Sequence, residues 1–367
     1  MQKTALYDKH VELGATITEF NGWLMPLFYT SITEEHHATR RAVGLFDLCH
    51  MGRILVRGTK AFEFLNWLTP ARLREARVGQ VLYSFLLTDK GTPLDDITIY
   101  VGSDWFLLVV NAGNCARALE WLASHAQEYE GVEVRDLSEQ IGMMAVQGPR
   151  SDAVLQAFCG EKWEPLRYYT FSGETHWDSA GSTLISATGY TGEWGYELFL
   201  PAHELVAAWD KVLAAVREQG GQPAGLGARD SLRLEAAMPL YGHELSEEIT
   251  PLEAGLGKFI DWEKEFLGKQ ALVAQRDAGI ARRLVGLEMQ QRGPVPRHGY
   301  RVLARDQRSI GLITSGLHSP TLGKNIAMAL VKAEETTLGN EVLVEIRGSL
   351  YPMIIVKRPF YKRSETQ

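Results

Sequence analysis

The chain has 367 residues, 45% of them hydrophobic, with 38 Lys and Arg against 45 Asp and Glu, a net charge of -7. That length predicts two or three domains, and the composition excludes a disordered or fibrous chain. No apolar run approaches the ~20 residues that span a bilayer, and the mild acidity argues against a dedicated nucleic-acid binder. The opening residues MQKTALYDKHVELG have neither the apolar core of a signal peptide nor the Arg/Ser bias of a transit peptide, so a cytoplasmic location is expected. Three separated cysteines, Cys49, Cys115 and Cys159, offer neither a disulfide framework nor the spacing of a zinc site. No metal is expected.

In chain order, Ser31 and Glu34 fit a capping box, and the stretch they open, SITEEHHATRRAVGLF, predicts a helix. A strand at Arg53–Val56 and a helix at Thr59–Leu68 follow, then a strand at Val81–Leu87, a DKGTP turn and a strand at Asp95–Val101. Next come a strand at Trp105–Val110, a helix at Asn114–His125 and a strand at Val132–Arg135, and a similar alternation runs from Gly142 to Glu218. Antiparallel strands set against helices predict an α+β fold and not a doubly wound parallel sheet. Near Gly279 the texture changes to short strands separated by Gly, Pro and Asn turns, as expected of a small β-barrel or sandwich. Within it, VLVEIRGSLYPMIIV places Gly348-Ser349 between two β-rich runs, which predicts a tight hairpin with Gly at its first central position. The expected division is residues 1–278 and 279–367.

The densest chemistry lies in VLYSFLLTDKGTPLDDITIY, LLVVNAGN, ATGYTGEWGYELFLP and PAGLGARDSLRLEAAMPLYGHE. GYTGEWG lacks G-x-G-x-x-G spacing and leads into a strand, and no Gly-x-Ser-x-Gly elbow occurs, so neither a dinucleotide fold nor an α/β-hydrolase is expected. Asp95 and Asp96 open a strand after a turn; alternation puts Asp95 with Ile97 and Ile99, and Asp96 with Thr98 and Tyr100. The pair either satisfies the turn or aims one carboxylate into a cleft, to accept a proton or steady a cation. Glu197, in the strand after the Gly-rich turn, either lies on a solvated face or accepts two parallel N–H groups from a ligand, because burying it unpaired is costly. Asp230 reads as complementing the start of a DSLRLEAAM helix. Arg229, just before it, either pairs with a local carboxylate or forks onto a ligand's carbonyl or carboxylate. Tyr83, Tyr190 and Tyr241 are either half-buried core residues or stacking partners for a flat heteroaromatic ligand. His36-His37 lack a third metal ligand, His50 reads as a packed or capping residue, and Arg72, Arg74 and Arg77 form a basic cluster that is solvated or meets an acidic partner.

Taken together, these stretches resemble the T-protein family of the glycine cleavage system, the tetrahydrofolate-dependent aminomethyltransferases. The resemblance begins at LYDKHVELGATITEFNGWLMPLFY and runs through GLFDLCHMG, LDDITIY, VVNAGN, GYTGEWGYE and GLGARDSLRLEAAMPLYGHEL. It continues through TPLEAGLGKFIDW and FLGKQAL to TSGLHSPTLGKNIAMALV and KRPFY, covering almost the whole chain in family order. It implies a three-lobed, cloverleaf-like molecule with two interleaved α+β lobes, a C-terminal β-barrel and tetrahydrofolate in the central channel. It also implies a reaction: the methylene of an aminomethyl group on the lipoyl arm of the H-protein passes to tetrahydrofolate, and ammonia leaves. Carried over by motif position, Asp96 is the anion that stabilises the developing positive charge and manages a proton. Glu197 becomes the partner of the pterin's ring N–H and exocyclic amine, and Arg229 secures the folate on the same wall. Tyr83, Tyr190, Met51 and Asn111 line the ring's surroundings, with Tyr241 counted as a further folate-binding residue.

The chain departs from the family pattern at Asn21, where Ala is usual, at Arg53 directly after HMG, and at Trp194, where a small polar residue is common. Two other readings stand beside the transferase: a tetrahydrofolate-dependent demethylase of a small methylated compound, and a non-catalytic folate-binding protein. The carboxylate in LDDITIY speaks against the first. The lack of a Lys-Gly-Cys-Tyr motif, Cys159 lying in AFCGEKW instead, speaks against the second.

Overall fold

The computed structural model describes residues 1–173 and 183–363. Residues 174–182, which fall in the second expected alternation, lie outside the described residues. The chain divides into two compact units: Met1–Trp67, Ala71–Ser84 and Ile97–Arg229 form the first, and Leu68–Pro70, Phe85–Asp96 and the chain from Asp230 onward form the second. No helix among the described residues is long and apolar enough to cross a membrane.

The first unit contains a six-stranded sheet in the order Phe171–Ser172, Leu184–Ser186, Gly195–Pro201, Ile141–Gln147, Gly44–Asp47, Gln222–Pro223. Its pairings are antiparallel except the last. The two central strands, Ile141–Gln147 and Gly195–Pro201, are buried along their whole length. Their Met144, Val146 and Leu198 share one core with Val154, Leu205, Trp209 and Val212 of the helices Ser151–Cys159 and Leu205–Glu218. A polar side chain on such a strand has to find partners inside the protein.

A five-stranded sheet runs in the order Val81–Leu87, Pro93–Val101, Trp105–Val110, Gly52–Arg57, Glu133–Asp136, and the helices Ala61–Leu68 and Cys115–Ala126 fall between its strands in sequence. The elements expected over residues 31–135 are therefore present. The first helix is shorter than its sequence suggests, Ile32–Arg41, because Gly44–Asp47 leaves it to become a strand. Only half of the capping box forms: Ser31 Oγ accepts from the Glu34 N–H at 3.2 Å. Glu35, the next residue, instead accepts from the backbone N–H groups of Tyr29 and Thr30 ahead of the cap.

The N-terminal segment is tied to the six-stranded sheet through Asp47, whose buried carboxylate accepts from Thr4 Oγ1 at 2.7 Å, His10 Nε2 at 2.9 Å and the Cys49 N–H at 2.8 Å. The other nitrogen of His10 meets the Tyr29 hydroxyl at 2.8 Å.

The second unit holds a closed barrel in the order Arg282–Met289, Lys324–Lys332, Ser309–Ser319, Arg301–Leu303, Glu341–Ile346, Ser349–Val356, antiparallel throughout. Closure leaves no strand edge open. The final hairpin corrects the expected turn. Ile346 pairs with Ser349, so the central residues are Arg347 and Gly348, with φ of 52° and 81°. Both positive angles define a type I′ turn, whose twist suits a two-residue hairpin, and Gly occupies its second central position instead of its first.

Burial alone would raise the Asp47 carboxyl, but its hydrogen bond to His10, the His10 charge and the Cys49 contacts hold it down at about 2 instead of 3.8. Its contribution, about 2 kcal/mol from that difference, is present above pH 3.8 and is lost as pH falls through about 2. Acid unfolding of Asp47→Asn should lack that step and start from a less stable protein at pH 7; chemical denaturation across pH 2–7 checks both.

Candidate active site

Glu197 sits in the buried Gly195–Pro201 strand, directly opposite Ser186 on one neighbour and Ala145 on the other. It is 8% exposed, which removes the solvated-face reading. Thr188 Oγ1 donates to its Oε2 at 2.5 Å, and the Tyr100 hydroxyl donates to the same oxygen at 3.3 Å. Ser186 completes the cluster, its hydroxyl 2.7 Å from Thr188 Oγ1 and 3.2 Å from the Tyr100 hydroxyl. Among the described residues no donor reaches Oε1. Burial pushes the Glu197 carboxyl up from its ordinary value, opposed by the Thr188 hydrogen bond, the Arg229 charge and Tyr100.

Arg229 lies within a helix, Leu226–Glu235, and its half-buried guanidinium stands 4.7 Å above the Tyr190 ring. No carboxylate of the described residues pairs with it, so its compensation is the Tyr190 face and the field of Glu197. Burial draws the guanidinium down from its ordinary value, against Tyr190 and Glu197. The helix starts where it does because Glu35 Oε2 accepts the Gly225 N–H at 2.8 Å. Gly225 itself must be glycine: a Cβ there would lie 2.4 Å from the Leu27 carbonyl oxygen. Asp230 is corrected by the same helix. It falls mid-helix, exposed, and pairs with Arg233 at 2.7 Å; the helix opens a turn earlier, through GLGA.

The structure places Tyr190, Glu197 and Arg229 together, and Met51, Tyr83 and Asn111 belong to the same unit. Gly52 pairs with Val110, so Met51 and Asn111 occupy adjoining ends of neighbouring strands, and Tyr83 is half-buried on Val81–Leu87. Arg53, fully buried, donates to the carbonyls of Cys49, Met51 and Ser138, so its role is to fix the Cys49–Met51 turn. His50 is buried edge-on to Phe20, and burial lowers it to about 3, leaving it a neutral packed residue. Asp96 and Tyr241 belong to the second unit. Asp95 is fully buried and Asp96 half-buried, as alternation requires, and the Tyr241 hydroxyl donates to the carbonyl of Pro93, on the same strand, at 3.1 Å. Arg72, Arg74 and Arg77 are exposed, and Trp194 is 38% exposed. Among the described residues, no group of three His, Cys, Asp or Glu side chains is arranged to hold a metal ion.

Sequence reasoning missed Tyr100, Ser186 and Thr188. The signal was present: Ser186 and Thr188 alternate in an otherwise apolar run, and Tyr100 shares the face of Asp96 and Thr98.

The first unit thus sets a buried carboxylate, one of whose oxygens meets no donor among the described residues, near a guanidinium that lies over an aromatic ring. Two family models match the chain: the GCVT N-terminal domain over residues 6–264 and the glycine cleavage T-protein C-terminal barrel domain over residues 282–362. It is 47% identical over 366 residues to the aminomethyltransferase of Moorella thermoacetica, covering 99% of this chain and 98% of that one. It is 43% identical to that of Caldanaerobacter subterraneus over 367 residues, 99% of this chain and 97% of that one. The crystal structure of the glycine cleavage system aminomethyltransferase T from Bartonella henselae superposes with a TM-score of 0.91 at 34% identity, over 98% of each chain. The chain belongs to the glycine cleavage T-protein family. It is an enzyme, and its activity is that of an aminomethyltransferase of the glycine cleavage system.

Because the Glu197 carboxyl is raised, its ionised form weighs against the folded state once pH exceeds its ordinary 4.5. Glu197→Gln should therefore melt at or above the wild-type temperature at pH 7, and the difference should vanish as pH falls below 4.5. A marked loss of melting temperature at pH 7 would contradict this assignment.

Proposed function

We propose that the chain takes the methylene of an aminomethyl group carried on the lipoyl arm of an H-protein and passes it to tetrahydrofolate. Ammonia is released, and the products are 5,10-methylenetetrahydrofolate and the dihydrolipoyl carrier. The observation that carries the reading is Glu197, a buried carboxylate whose Oε2 is saturated by Thr188 and Tyr100 while Oε1 has no donor among the described residues.

A pterin offers a ring N–H beside an exocyclic amine, two parallel donors that a carboxylate matches. Glu197 accepts them, and its buried charge becomes favourable only when they arrive. Arg229, held over the Tyr190 ring and without a carboxylate partner among the described residues, secures the folate through its fork of donors. Met51, Tyr83, Tyr190 and Asn111 line the ring, and Tyr241, bonded to the strand that bears Asp96, is a further folate contact. Asp96 answers the chemical demand: an amine leaves a sulfur-bound carbon, positive charge develops, and a fixed carboxylate stabilises it and manages the proton. In this reading residues 1–278 carry the folate and reacting groups, residues 279–367 form the barrel domain, and the enzyme works in the cytoplasm with no metal.

The test runs the reaction backwards. Protein, methylenetetrahydrofolate, ammonia and reduced lipoylated H-protein are mixed, and the carrier is followed by intact mass. An aminomethyl adduct that requires this chain supports the reading; bound tetrahydrofolate without an adduct overturns the carrier as donor. Asp96→Asn should keep tetrahydrofolate affinity within about twofold while transfer falls by about a hundredfold or more, the scale of a lost acid–base or electrostatic group. Transfer at the wild-type rate would remove Asp96 from the mechanism.

A further inference from the structure

Residues 188–196 carry Tyr190 and lead into Glu197, and they turn around one side chain that no role above absorbs. Gln147 ends the central Ile141–Gln147 strand, is 1% exposed and lies opposite Gly195. Its Nε2 donates to the carbonyl of Thr188 at 3.0 Å and, at the long limit of 3.5 Å, to that of Tyr196. Its Oε1 accepts from Thr191 Oγ1 at 2.9 Å. Both ends of the loop and its middle are thus bonded to one amide. The fit is tight: a Cβ at Gly189 would lie 1.9 Å from Gln147 Oε1, and one at Gly195 would lie 2.4 Å from Nε2. At Gly195 a Cβ would also lie 2.7 Å from the Val146 carbonyl oxygen, so the turn closes on the amide and the strand together.

The outer side of the loop is clamped separately. Arg40 Nη1 donates to the Thr191 carbonyl at 2.6 Å and to Glu193 Oε1 at 2.9 Å, with both side chains about nine-tenths buried or more. Thr191 Oγ1 also accepts the Glu193 N–H at 3.2 Å, and the Gly148 N–H bonds the Trp194 carbonyl at 2.7 Å. Thr188, held at its carbonyl by Gln147, is the residue whose hydroxyl saturates Glu197 Oε2.

We propose that Gln147 is a positioning residue for folate binding: its amide casts the loop that sets Tyr190 under Arg229 and Thr188 against Glu197. It touches no ligand and acts through these residues. The inference rests on the reading that Tyr190, Glu197 and Arg229 hold the pterin.

The test compares Gln147→Met, which keeps length and loses every amide bond, with Thr191→Val, which removes one. Tetrahydrofolate Kd, kcat and KM are measured with amide hydrogen exchange over residues 188–196. Loss of one or two net hydrogen bonds to the loop should weaken tetrahydrofolate about tenfold in Gln147→Met and about threefold in Thr191→Val, with kcat at saturation changed less than about twofold. In a Tyr190→Ala background, Gln147→Met should cost about threefold instead of about tenfold, because one of its two targets is already gone while Thr188 still stands against Glu197. Loop amides should exchange faster in both backgrounds. Wild-type affinity and exchange in folded Gln147→Met, or equal weakening with and without Tyr190, overturns the proposal. If instead Glu197→Gln and Tyr190→Ala bind tetrahydrofolate like wild type, the pterin reading falls, and the exchange rates, which need no ligand, still decide whether Gln147 holds the loop.

Discussion

A carboxylate sits on a strand that is buried from end to end, and much of the first unit is arranged around that fact. An ionised Glu197 in such a place costs folding energy unless its lone pairs are met. The protein meets one oxygen with Thr188 and Tyr100 and leaves the other without a donor among the described residues. In the proposed reading that shortfall is the binding opportunity: a ligand with two adjacent donors regains in the complex what the empty protein forgoes. Preorganisation follows from the same cluster, because the hydroxyls that saturate Oε2 also fix the plane of the carboxylate.

Other buried charges of the unit serve as fasteners. Glu35 collects the amides of Tyr29, Thr30 and Gly225, and so joins the Ile32–Arg41 helix to the start of the helix that carries Arg229. Asp47 gathers the N-terminal segment, and Arg53 holds the Cys49–Met51 turn by two carbonyls and ties it to that of Ser138. In each case one long or branched polar side chain satisfies several backbone groups that loops would otherwise leave unpaired. Arg229 is the exception. Its guanidinium has an aromatic face and no carboxylate partner among the described residues, and in the proposed reading it is kept for the folate.

Much of this was legible in the residues. Period-two alternation gave the strands, and it separated buried Asp95 from half-buried Asp96. The mixed α+β architecture was readable from the alternation of elements, and turn spacing and β-rich runs narrowed the last segment to a small barrel or sandwich, which strand pairing closes as a barrel. Three details were not. Gly348 was assigned one place too early in its turn, because which residue opens a two-residue hairpin depends on pairing register, which Ile346 and Ser349 set. The helix bearing Arg229 was started too late, because its true start is fixed by Glu35, far away in sequence. Glu197 could not be told from a solvated glutamate, since its hydroxyl partners Thr188 and Tyr100 come from a turn and from a strand of another sheet. Local pattern reports which face a residue takes, and long-range packing decides what that face meets.

In the proposed reaction Glu197 receives the donor pair of a pterin. The most direct measurement is the proton spectrum of isotope-labelled tetrahydrofolate bound to the protein, observing the ring N–H beside the exocyclic amine. A downfield, slowly exchanging N–H resonance in the wild-type complex that is lost in Glu197→Gln is the predicted result. The same resonance and the same affinity in Glu197→Gln would contradict it.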